Sequence, residues 1–369
     1  MEIKMTVLVF HNFDFEKLLP GGIDMMKKVK RLKRGSRIAV LSPSSGAAQM
    51  FPHIFDMGLE NLKRHLGSEI VEMPTSRKSP DWLYKNPKAR AEDINAAFAD
   101  ETIDGIICSI GGYESVRILE HLDTESILAR PKFFMGFSDS TTFLSYLNSL
   151  GMVTFYGPSV MAGLAQWEHQ PEAFRKHVTD FLLTGEIPYE YPSFGKWTDG
   201  YANWTRPELA GFCLPFENNE SGFNFVQGAR AEGTLWGGCI EVLEGLKGTR
   251  YWPGEDFWNG KILFLESSDK KPSPMEFGVM LRNYGTQGIL HKLNGLFIGR
   301  PDNYSPCEKR ELEKVVLDIV DFELGLTDLP IVMEMDFGHT DPKWILPLGV
   351  KVEVTKEPKG MRLLESPWL

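Results

Sequence analysis

The sequence predicts an α/β protein in which an N-terminal doubly wound, mostly parallel sheet is followed by a strand-rich α/β domain. From Arg37 onward, short apolar runs alternate with helical runs, which is the pattern of parallel strands joined by crossover helices. After Ala231, short strand candidates recur with fewer helices between them. The 369 residues, 42% of them hydrophobic, are enough for two domains of ordinary size.

The strands of the first domain are predicted from five mostly apolar runs, and the helices from the runs between them. Helices on both faces bury a parallel sheet, so its strands need not alternate between apolar and polar residues. In chain order the runs are RIAVLSP, MGLENLKRHLG, EIVEMP, KARAEDINAAFAD, DGIICSIGG, SVRILEHL, FFMGFSD, TTFLSYLNSLG and MVTFYGP. Such a sheet is similar to Rossmann and flavodoxin folds, in which ligands bind at the carboxyl ends of the strands. We therefore expect the loops 42–46, 111–115 and 136–140 to line a site.

Changes in composition divide the chain into four parts. Residues 1–35 are predicted to be an N-terminal extension and lead-in, and 36–165 the first domain. Residues 166–230 are rich in aromatic residues, proline, glycine and asparagine, which predicts a linker with covering loops. Residues 231–369 form the second domain, with the strand candidates GTLWGG, KILFLES, LNGLFIG, LPIVMEM and GVKVEVT. The basic run 27–34 is typical of a solvated lead-in beside a strand.

Composition also narrows the class of protein. Fifty acidic residues against 40 basic ones give a net charge of −10 and a pI near 5.4, which disfavours binding to a nucleic-acid polymer. No apolar run reaches the roughly 20 residues of a membrane-spanning helix, and the N-terminus lacks the order of a secretory signal, so no membrane association is expected. Four cysteines without a CxxC pair argue against a disulfide framework and a zinc site. These features predict a cytoplasmic protein with a small substrate.

The motif GFSDST, residues 136–141, follows an apolar strand and begins a helical run. A serine at such a tight strand-to-helix turn is pushed out of the sheet, and the amides of the helix start can stabilise an oxyanion. Ser138 is therefore a candidate nucleophile. Because Ser140 replaces the last glycine of the GxSxG pattern, the alternative that Ser138 or Asp139 only caps the helix stays open.

Three further positions could complete a catalytic site. In IGGYES, Gly111 and Gly112 follow a strand, and a backbone without side chains can bring an N–H close to an oxyanion. His339, in FGHTDPKWILPLG, follows an apolar strand and is a candidate general base. Glu266 ends the strand KILFLES, where a carboxylate is costly to bury unless it is paired, so it is a candidate for the acid that orients the base.

Other chemistries can be weighed against this set. A metal site of His339 with Asp336 and Asp341 lacks a second histidine or cysteine at ligand spacing, and no P-loop or GxGxxG motif is present, so no metal or cofactor is predicted. A cysteine-dependent, amidotransferase-like enzyme could use Cys108, although this residue lies within an apolar strand rather than at its turn. A non-catalytic ligand-binding protein on the same sheet would need no triad.

Five motifs in one order resemble the LD-carboxypeptidase family of serine peptidases: IGGYES, GFSDST, GTLWGGCIEVLEGLKGT, KILFLES and FGHTDPKWILPLG. The family includes muramoyltetrapeptide carboxypeptidases and MccF-like microcin C self-immunity proteins, and the resemblance runs from about Lys33 to near the C-terminus. It implies a serine-type carboxypeptidase with a Ser-Glu-His triad formed by Ser138, Glu266 and His339.

The same resemblance implies an oxyanion hole, a mechanism without a cofactor, and a homodimer. The oxyanion donors are the backbone N–H of Asp139 and that of either Gly111 or Gly112. Where many relatives have the sequence GGN, this chain has GGC, ending at Cys239.

The long aromatic segment before the second domain is similar to that of the MccF-like branch of the family. In that branch an aromatic ring stacks on the base of a peptidyl-nucleotide, which makes Trp204, in WTDGYANWTRPEL, the candidate platform. The resemblance therefore implies a small peptide conjugate as substrate, either an L,D-peptide of peptidoglycan or a peptidyl-nucleotide of the microcin C type.

Overall fold

The computed structural model of the protein describes residues 26–369, so the extension predicted for residues 1–24 lies outside the described range. Within that range the strands are β1 Arg37–Leu41, β2 Glu69–Glu72, β3 Gly105–Cys108, β4 Phe133–Gly136, β5 Thr154–Tyr156, β6 Tyr189–Glu190, β7 Lys196–Trp197, β8 Glu217–Asn218, β9 Asn224–Gln227, β10 Arg230–Cys239, β11 Lys261–Glu266, β12 Gly295–Gly299, β13 Ile331–Met335, β14 Leu346–Leu348, β15 Lys351–Thr355 and β16 Gly360–Leu363.

The helices lie mainly between the parallel strands. In the described range they are α1 Ala47–Met50, α2 Pro52–Leu66, α3 Pro80–Lys85, α4 Pro87–Ala99, α5 Thr124–Ala129, α6 Thr141–Ser149, α7 Glu172–Thr179, α8 Ile240–Glu244, α9 Pro274–Thr286 and α10 Pro306–Leu317. Local sequence signals set several of their ends. Gly67 ends α2 in the left-handed conformation, and Ser273 and Ser305 begin α9 and α10 with capping boxes.

The first sheet has the strand order β14-β5-β4-β3-β1-β2, and its strands β1 to β5 are parallel. The order 2-1-3-4-5 of the five parallel strands is that of a flavodoxin-like sheet, which confirms the predicted fold class. Its central strands β3 and β4 are buried at every residue, as expected when helices cover both faces. The strand order reverses between β1 and β3, and the loops after these strands and after β4 meet at one edge.

The second sheet has the order β6-β16-β15-β10-β11-β12-β13-β9. Strands β10 to β13 are parallel, while β9 and β15 pair antiparallel at either side of them, which confirms the strand-rich α/β character predicted for this region. The carboxyl ends of β11, β12 and β13 lie at the same edge of the sheet. A small third sheet pairs β7 with β8.

Three connections do not follow from sequence periodicity. Strand β14, which comes after β13 in the chain, pairs antiparallel with β5 and so completes the first sheet. The aromatic segment 166–230 contains α7 and supplies β6 and β9 to the second sheet, in addition to its loops. In the basic lead-in, Val29 is fully buried and accepts a hydrogen bond from the backbone N–H of Leu369 at 2.9 Å, while its lysine neighbours Lys28 and Lys30 are partly or fully exposed.

Helix α6 joins the two sheets because it packs flush against β10. The Trp236 indole donates to the carbonyl of Ser145 at 3.2 Å, and the Ser145 hydroxyl donates to the carbonyl of Gly237 at 2.9 Å. A Cβ on Gly238 would lie 2.5 Å from the side chain of Thr141, so the close approach requires glycine there. The edge that follows β4 is thereby held beside the edge that follows β11.

Candidate active site

Ser138 lies at a sharp turn between β4 and α6. Its φ is +59°, which is unusual for a residue with a side chain and is typical of a serine held in a strand-to-helix elbow. The helix-cap alternative is wrong, because neither the short 3₁₀ turn Ser138–Ser140 nor α6 has a side-chain cap. The Ser138 hydroxyl instead faces His339.

A continuous chain of hydrogen bonds links three of the predicted residues. The Nε2 atom of His339 lies 3.0 Å from the Oγ of Ser138, and its Nδ1 lies 2.7 Å from the Oε2 of Glu266. Glu266 is fully buried at the end of β11. The loop after β13 can pass over this carboxylate because Gly338 precedes His339: a Cβ on Gly338 would lie 2.7 Å from Oε2, and its φ is +103°.

Two opposing effects set the pKa of His339. Burial lowers it, but the charge of Glu266 and its hydrogen bond to the ring raise it, and the net pKa is higher than the ordinary value of 6.5. The ring packs edge-on against Phe137 at a centroid distance of 5.2 Å. The imidazole is therefore fixed in orientation between a carboxylate and a hydroxyl, as a general base requires.

The glycine loop after β3 lies directly against the serine elbow. A Cβ on Gly111 would lie 2.7 Å from the Cβ and 2.9 Å from the Oγ of Ser138, so only glycine fits. A Cβ on Gly112 would lie 3.0 Å from the Cβ of Ser44. Among residues 26–369, neither the Gly111 nor the Gly112 N–H donates to a protein acceptor, so both are free to bind an oxyanion.

The carboxylate of Asp139 has a separate task that the sequence reasoning missed. It is buried and accepts from the Ser44 hydroxyl, from the Glu114 N–H at 3.2 Å and from the Ser115 N–H at 3.0 Å. Burial raises its pKa, and these hydrogen bonds oppose that shift. Asp139 thus ties the elbow to the loops after β1 and β3.

Arg90 also holds the loops after β1 and β3. Its fully buried guanidinium donates to the carbonyls of Pro43 and Ser44, both at 3.1 Å, and pairs with Glu114 at 2.7 Å. No sequence motif marks Arg90, since it lies in the middle of a helical run. Its role follows from the meeting of three strand ends at one edge.

Tyr156, at the end of β5, is a second residue that the sequence reasoning missed. Its hydroxyl donates to the Oε1 of Glu266 at 2.5 Å and accepts from the backbone N–H of Ser138 at 3.0 Å. The only sequence signal was a polar aromatic residue at the carboxyl end of a strand next to the elbow.

Comparison with known proteins decides the family. Residues 38–157 match the LD-carboxypeptidase N-terminal domain, and residues 232–354 match the LD-carboxypeptidase C-terminal domain. The chain belongs to the LD-carboxypeptidase family. This LD-carboxypeptidase is by family a serine-type hydrolase that acts on peptide or amide bonds, so the non-catalytic alternative is wrong.

The relatives of this LD-carboxypeptidase include a self-immunity protein and an MccF-like protein. The microcin C7 self-immunity protein MccF of Escherichia coli is 28% identical over 342 residues, which are 90% of this chain and 94% of the relative. An MccF-like protein from Streptococcus pneumoniae, solved in complex with AMP, is 32% identical with a TM-score of 0.79 and covers 89% of this chain and 98% of its own. MccF in complex with aspartyl sulfamoyl adenosine is 26% identical with a TM-score of 0.81, and the match covers 93% of this chain and 100% of that chain.

Cys239, the last residue of the GGC sequence, faces inward. It is fully buried, its Sγ lies 3.3 Å from a carboxylate oxygen of Glu241, and burial raises the pKa of its thiol well above the ordinary value. The thiol is thus protonated and occupies a position at the end of β10 beside Glu266.

Trp204 lies in the aromatic segment and is half-buried. Its ring packs edge-on against Phe51 and stacks on Tyr201 at 5.9 Å, and its carbonyl lies 2.9 Å from the Nε2 of His53. The Tyr201 hydroxyl donates to the buried carboxylate of Asp341, two residues after His339. The segment that carries Trp204 is therefore attached to the loop that carries the candidate base.

The residues considered for a cysteine nucleophile and for a metal site have other surroundings in the structure. Cys108 is fully buried at the end of β3, and burial raises its pKa to about 12, so it lacks the accessible thiolate of a nucleophile. The side chains named for a metal site have different partners: Asp336 pairs with Arg300 at 2.7 Å, and Asp341 pairs with Lys343 at 3.3 Å. Among the residues that the structure describes, none of the helices has the length and apolar character of a membrane span.

Proposed function

We propose that this LD-carboxypeptidase uses Ser138, His339 and Glu266 as a catalytic triad to cleave an amide bond in a small peptide conjugate. The observation that carries the proposal is the unbroken chain of hydrogen bonds from Glu266 through His339 to Ser138, at 2.7 and 3.0 Å. The same three functional groups in this order activate a serine on unrelated folds.

In the first half of the reaction, the Oγ of Ser138 attacks the carbonyl carbon while Nε2 of His339 takes its proton. The N–H of Asp139 and that of Gly111 or Gly112 bind the oxyanion, and Glu266 stabilises the imidazolium. When the intermediate collapses, the C–N bond breaks and the imidazolium gives its proton to the leaving nitrogen. The products of this half are an acyl-enzyme and a free amine.

In the second half, water replaces the amine. His339 takes a proton from the water as its oxygen attacks the acyl carbon, and the oxyanion forms at the same N–H donors. The bond between carbon and the Oγ of Ser138 then breaks, and the proton on His339 returns to Ser138. One water is consumed for each amide bond, and no metal or organic cofactor takes part.

For the substrate, we favour a peptidyl-nucleotide conjugate over an L,D-peptide of peptidoglycan. The support is that solved relatives hold AMP and aspartyl sulfamoyl adenosine, together with the half-buried Trp204 on a segment attached to the base loop. Base stacking on an aromatic ring contributes roughly 1–3 kcal/mol. The description of the family as LD-carboxypeptidases supports the peptidoglycan alternative.

The proposal includes a homodimer in the cytoplasm. The homodimer rests on the family resemblance, and light scattering coupled to size exclusion measures it. The cytoplasmic location is supported by four free cysteines, all within the described residues: Cys108, Cys213, Cys239 and Cys307.

Replacing Ser138 by alanine tests the proposed triad. We expect turnover to fall by about 10³-fold or more with the fold intact, since the covalent pathway is deleted. Mass spectrometry would follow two substrates, an L,D-tetrapeptide and aspartyl sulfamoyl adenosine. Covalent labelling of the wild type by a fluorophosphonate, read as intact mass, would report the nucleophile directly.

The matched control is Ser149→Ala at the end of α6, whose hydroxyl donates to the carbonyl of Tyr146 at 2.7 Å and has no other partner among residues 26–369. It should keep both turnover and labelling. Hydrolysis near the wild-type rate by a folded Ser138→Ala protein would refute the triad. Cleavage of the tetrapeptide alone would replace the peptidyl-nucleotide by the peptidoglycan substrate.

A further inference from the structure

One hydroxyl group contacts both ends of the candidate triad. Tyr156 ends β5, where its backbone pairs in register with Gly136 on β4, two residues before Ser138. From there the side chain reaches the other sheet. Its O–H donates to Glu266 at 2.5 Å, and its oxygen accepts the Ser138 N–H at 3.0 Å.

The direction of these two hydrogen bonds is fixed by chemistry. A backbone N–H can only donate and an ionised carboxylate can only accept, so the phenol must accept from Ser138 and donate to Glu266. Tyr156 is 1% exposed, and burial together with the charge of Glu266 raises its pKa well above 10. The hydroxyl proton is therefore present throughout the pH range of an assay.

The two oxygens of the Glu266 carboxylate accept from different donors. Its Oε1 accepts from Tyr156 and its Oε2 accepts from His339, and the side chain is fully buried. A buried carboxylate needs such partners, and two partners on opposite oxygens also fix the rotation of its plane. Without the phenol, Glu266 would keep its bond to the imidazole but lose the contact that fixes its angle.

The second contact acts on the nucleophile. Ser138 has a φ of +59°, a strained conformation for a residue with a side chain. Its N–H donates to the phenol and would lose this partner if the phenol were absent. The ring of Tyr156 itself packs against Phe137, which directly follows β4, at 6.4 Å and against Phe264 in β11 at 5.5 Å.

We propose that Tyr156 is a positioning residue for the hydrolytic reaction. Its hydroxyl holds the Glu266 carboxylate and the Ser138 elbow in fixed positions relative to each other across the junction of the two sheets. The inference rests on the proposed triad. It assigns to Tyr156 no contact with substrate, since the side chain is buried behind the triad.

The test compares two buried tyrosines that differ in their partners. Tyr156→Phe removes the bridging hydroxyl and keeps the ring. Tyr191→Phe is the matched control, because Tyr191 is 7% exposed and its hydroxyl donates to the carbonyl of Ile345 at 3.0 Å, away from the triad. Both variants, the wild type and Ser138→Ala would be assayed with aspartyl sulfamoyl adenosine and the L,D-tetrapeptide, and checked for folding by thermal unfolding and near-ultraviolet circular dichroism.

For Tyr156→Phe we expect kcat to fall roughly 10- to 100-fold with little change in KM, because misplaced groups slow the chemical step without weakening binding. The rate of labelling by a fluorophosphonate should fall in parallel. We also expect the acidic limb of the pH profile to move up by about half a pH unit, because loss of a donor leaves more negative charge on Glu266 and favours protonation of the pair.

The charged groups around His339 stay constant in this comparison. They are Glu266 at the end of β11, Asp269 in the loop that follows, Asp302 after β12 and Lys343 after the base loop. Cys239 and Glu266 are the groups that face Tyr156. A shift of the limb in Tyr156→Phe alone is therefore due to the lost phenol.

Three outcomes are distinguishable. Slower turnover and a shifted limb in Tyr156→Phe, with Tyr191→Phe unchanged, support the inference. If Tyr156→Phe keeps the wild-type kcat and the wild-type acidic limb of the pH profile, the inference on Tyr156 is wrong and the triad stands. The same holds if both tyrosine variants change equally. Full activity in Ser138→Ala overturns the triad and the inference together.

Discussion

At the scale of single residues, the site depends on backbone conformations that most side chains avoid. Ser138 has a positive φ, and the neighbouring Gly111 leaves no room for a Cβ beside it. Strain of this kind persists only where surrounding contacts determine the conformation. Here they are the Tyr156 hydroxyl on the Ser138 N–H and the Asp139 carboxylate on the adjoining loops. The candidate nucleophile Ser138 is thus held in place in the absence of substrate.

The pH dependence follows from the pair of His339 and Glu266. A general base must be neutral, so activity should fall as pH decreases through the pKa of His339, which lies above 6.5. Glu266→Gln removes the charge that raises this pKa, so the acidic limb should move to lower pH while kcat falls by about 10²- to 10⁴-fold. The measurement is kcat/KM against pH for wild type and variant.

Glu244→Gln serves as the control, because Glu244 lies at the end of α8, is partly exposed and pairs with Lys247 rather than with His339. It should leave the limb in place. A flat wild-type profile between pH 5 and 8 would count against His339 as base, and a limb unmoved in Glu266→Gln would count against Glu266 as its partner. The pH dependence of folding stability has the opposite sign to that of activity. Because the pKa of His339 is raised in the folded protein, its protonation contributes stability that is present below pH 6.5 and is lost as pH rises through the folded pKa.

Sequence reasoning reached some of these residues and not others for a physical reason. Ser138 and His339 follow an apolar strand and Glu266 ends one, so their positions near a strand end are visible in the chain itself. Tyr156 and the carboxylate of Asp139 act through partners that lie 18 or more residues away in the chain, Glu266 and Ser115 among them. Such partners are chosen by tertiary packing, which periodicity does not record.

At the scale of elements, the parallel strands and their helices were predictable because each corresponds to one continuous apolar or helical run in the sequence. Strand β14 was not, since Leu346–Leu348 contains a proline and pairs with β5, which lies about half a chain length earlier in the sequence. The aromatic segment was predicted as linker and loops, yet its β9 pairs with β13. Short strands of this kind are determined by the neighbour that they pair with rather than by their own pattern.

The aromatic segment carries the prediction on substrate choice. Trp204→Ala should weaken processing of aspartyl sulfamoyl adenosine by about one to two orders of magnitude, because a stacked base contributes roughly 1–3 kcal/mol. Cleavage of a plain L,D-tetrapeptide should change little. The measurement is kcat/KM for both substrates by mass spectrometry.

Phe212→Ala is the matched control, since Phe212 lies on the same segment, is 44% exposed, and packs on His169. It should leave the preference between the two substrates unchanged. If Trp204→Ala slows both substrates equally, its contacts with Phe51 and Tyr201 only hold the segment, and Trp204 is not a base platform.

At the scale of the whole molecule, the candidate site lies where the two sheets meet. The first sheet supplies Ser138 and the glycine loop, and the second supplies Glu266 and His339. The chain then returns from the second sheet to the first through β14, so neither sheet is built from one continuous part of the sequence. Helix α6 packs on β10 over the same junction.

This interleaving predicts that the two sheets unfold together. Losing the second sheet would expose the edge of β5, which pairs with β14, and would leave the indole N–H of Trp236 without its acceptor on α6. We therefore expect one cooperative calorimetric transition, with tryptophan fluorescence and fluorophosphonate labelling of Ser138 lost at the same midpoint. Two separated transitions, or labelling lost well before the main transition, would mean that the junction opens on its own and that the site is assembled from independently stable halves.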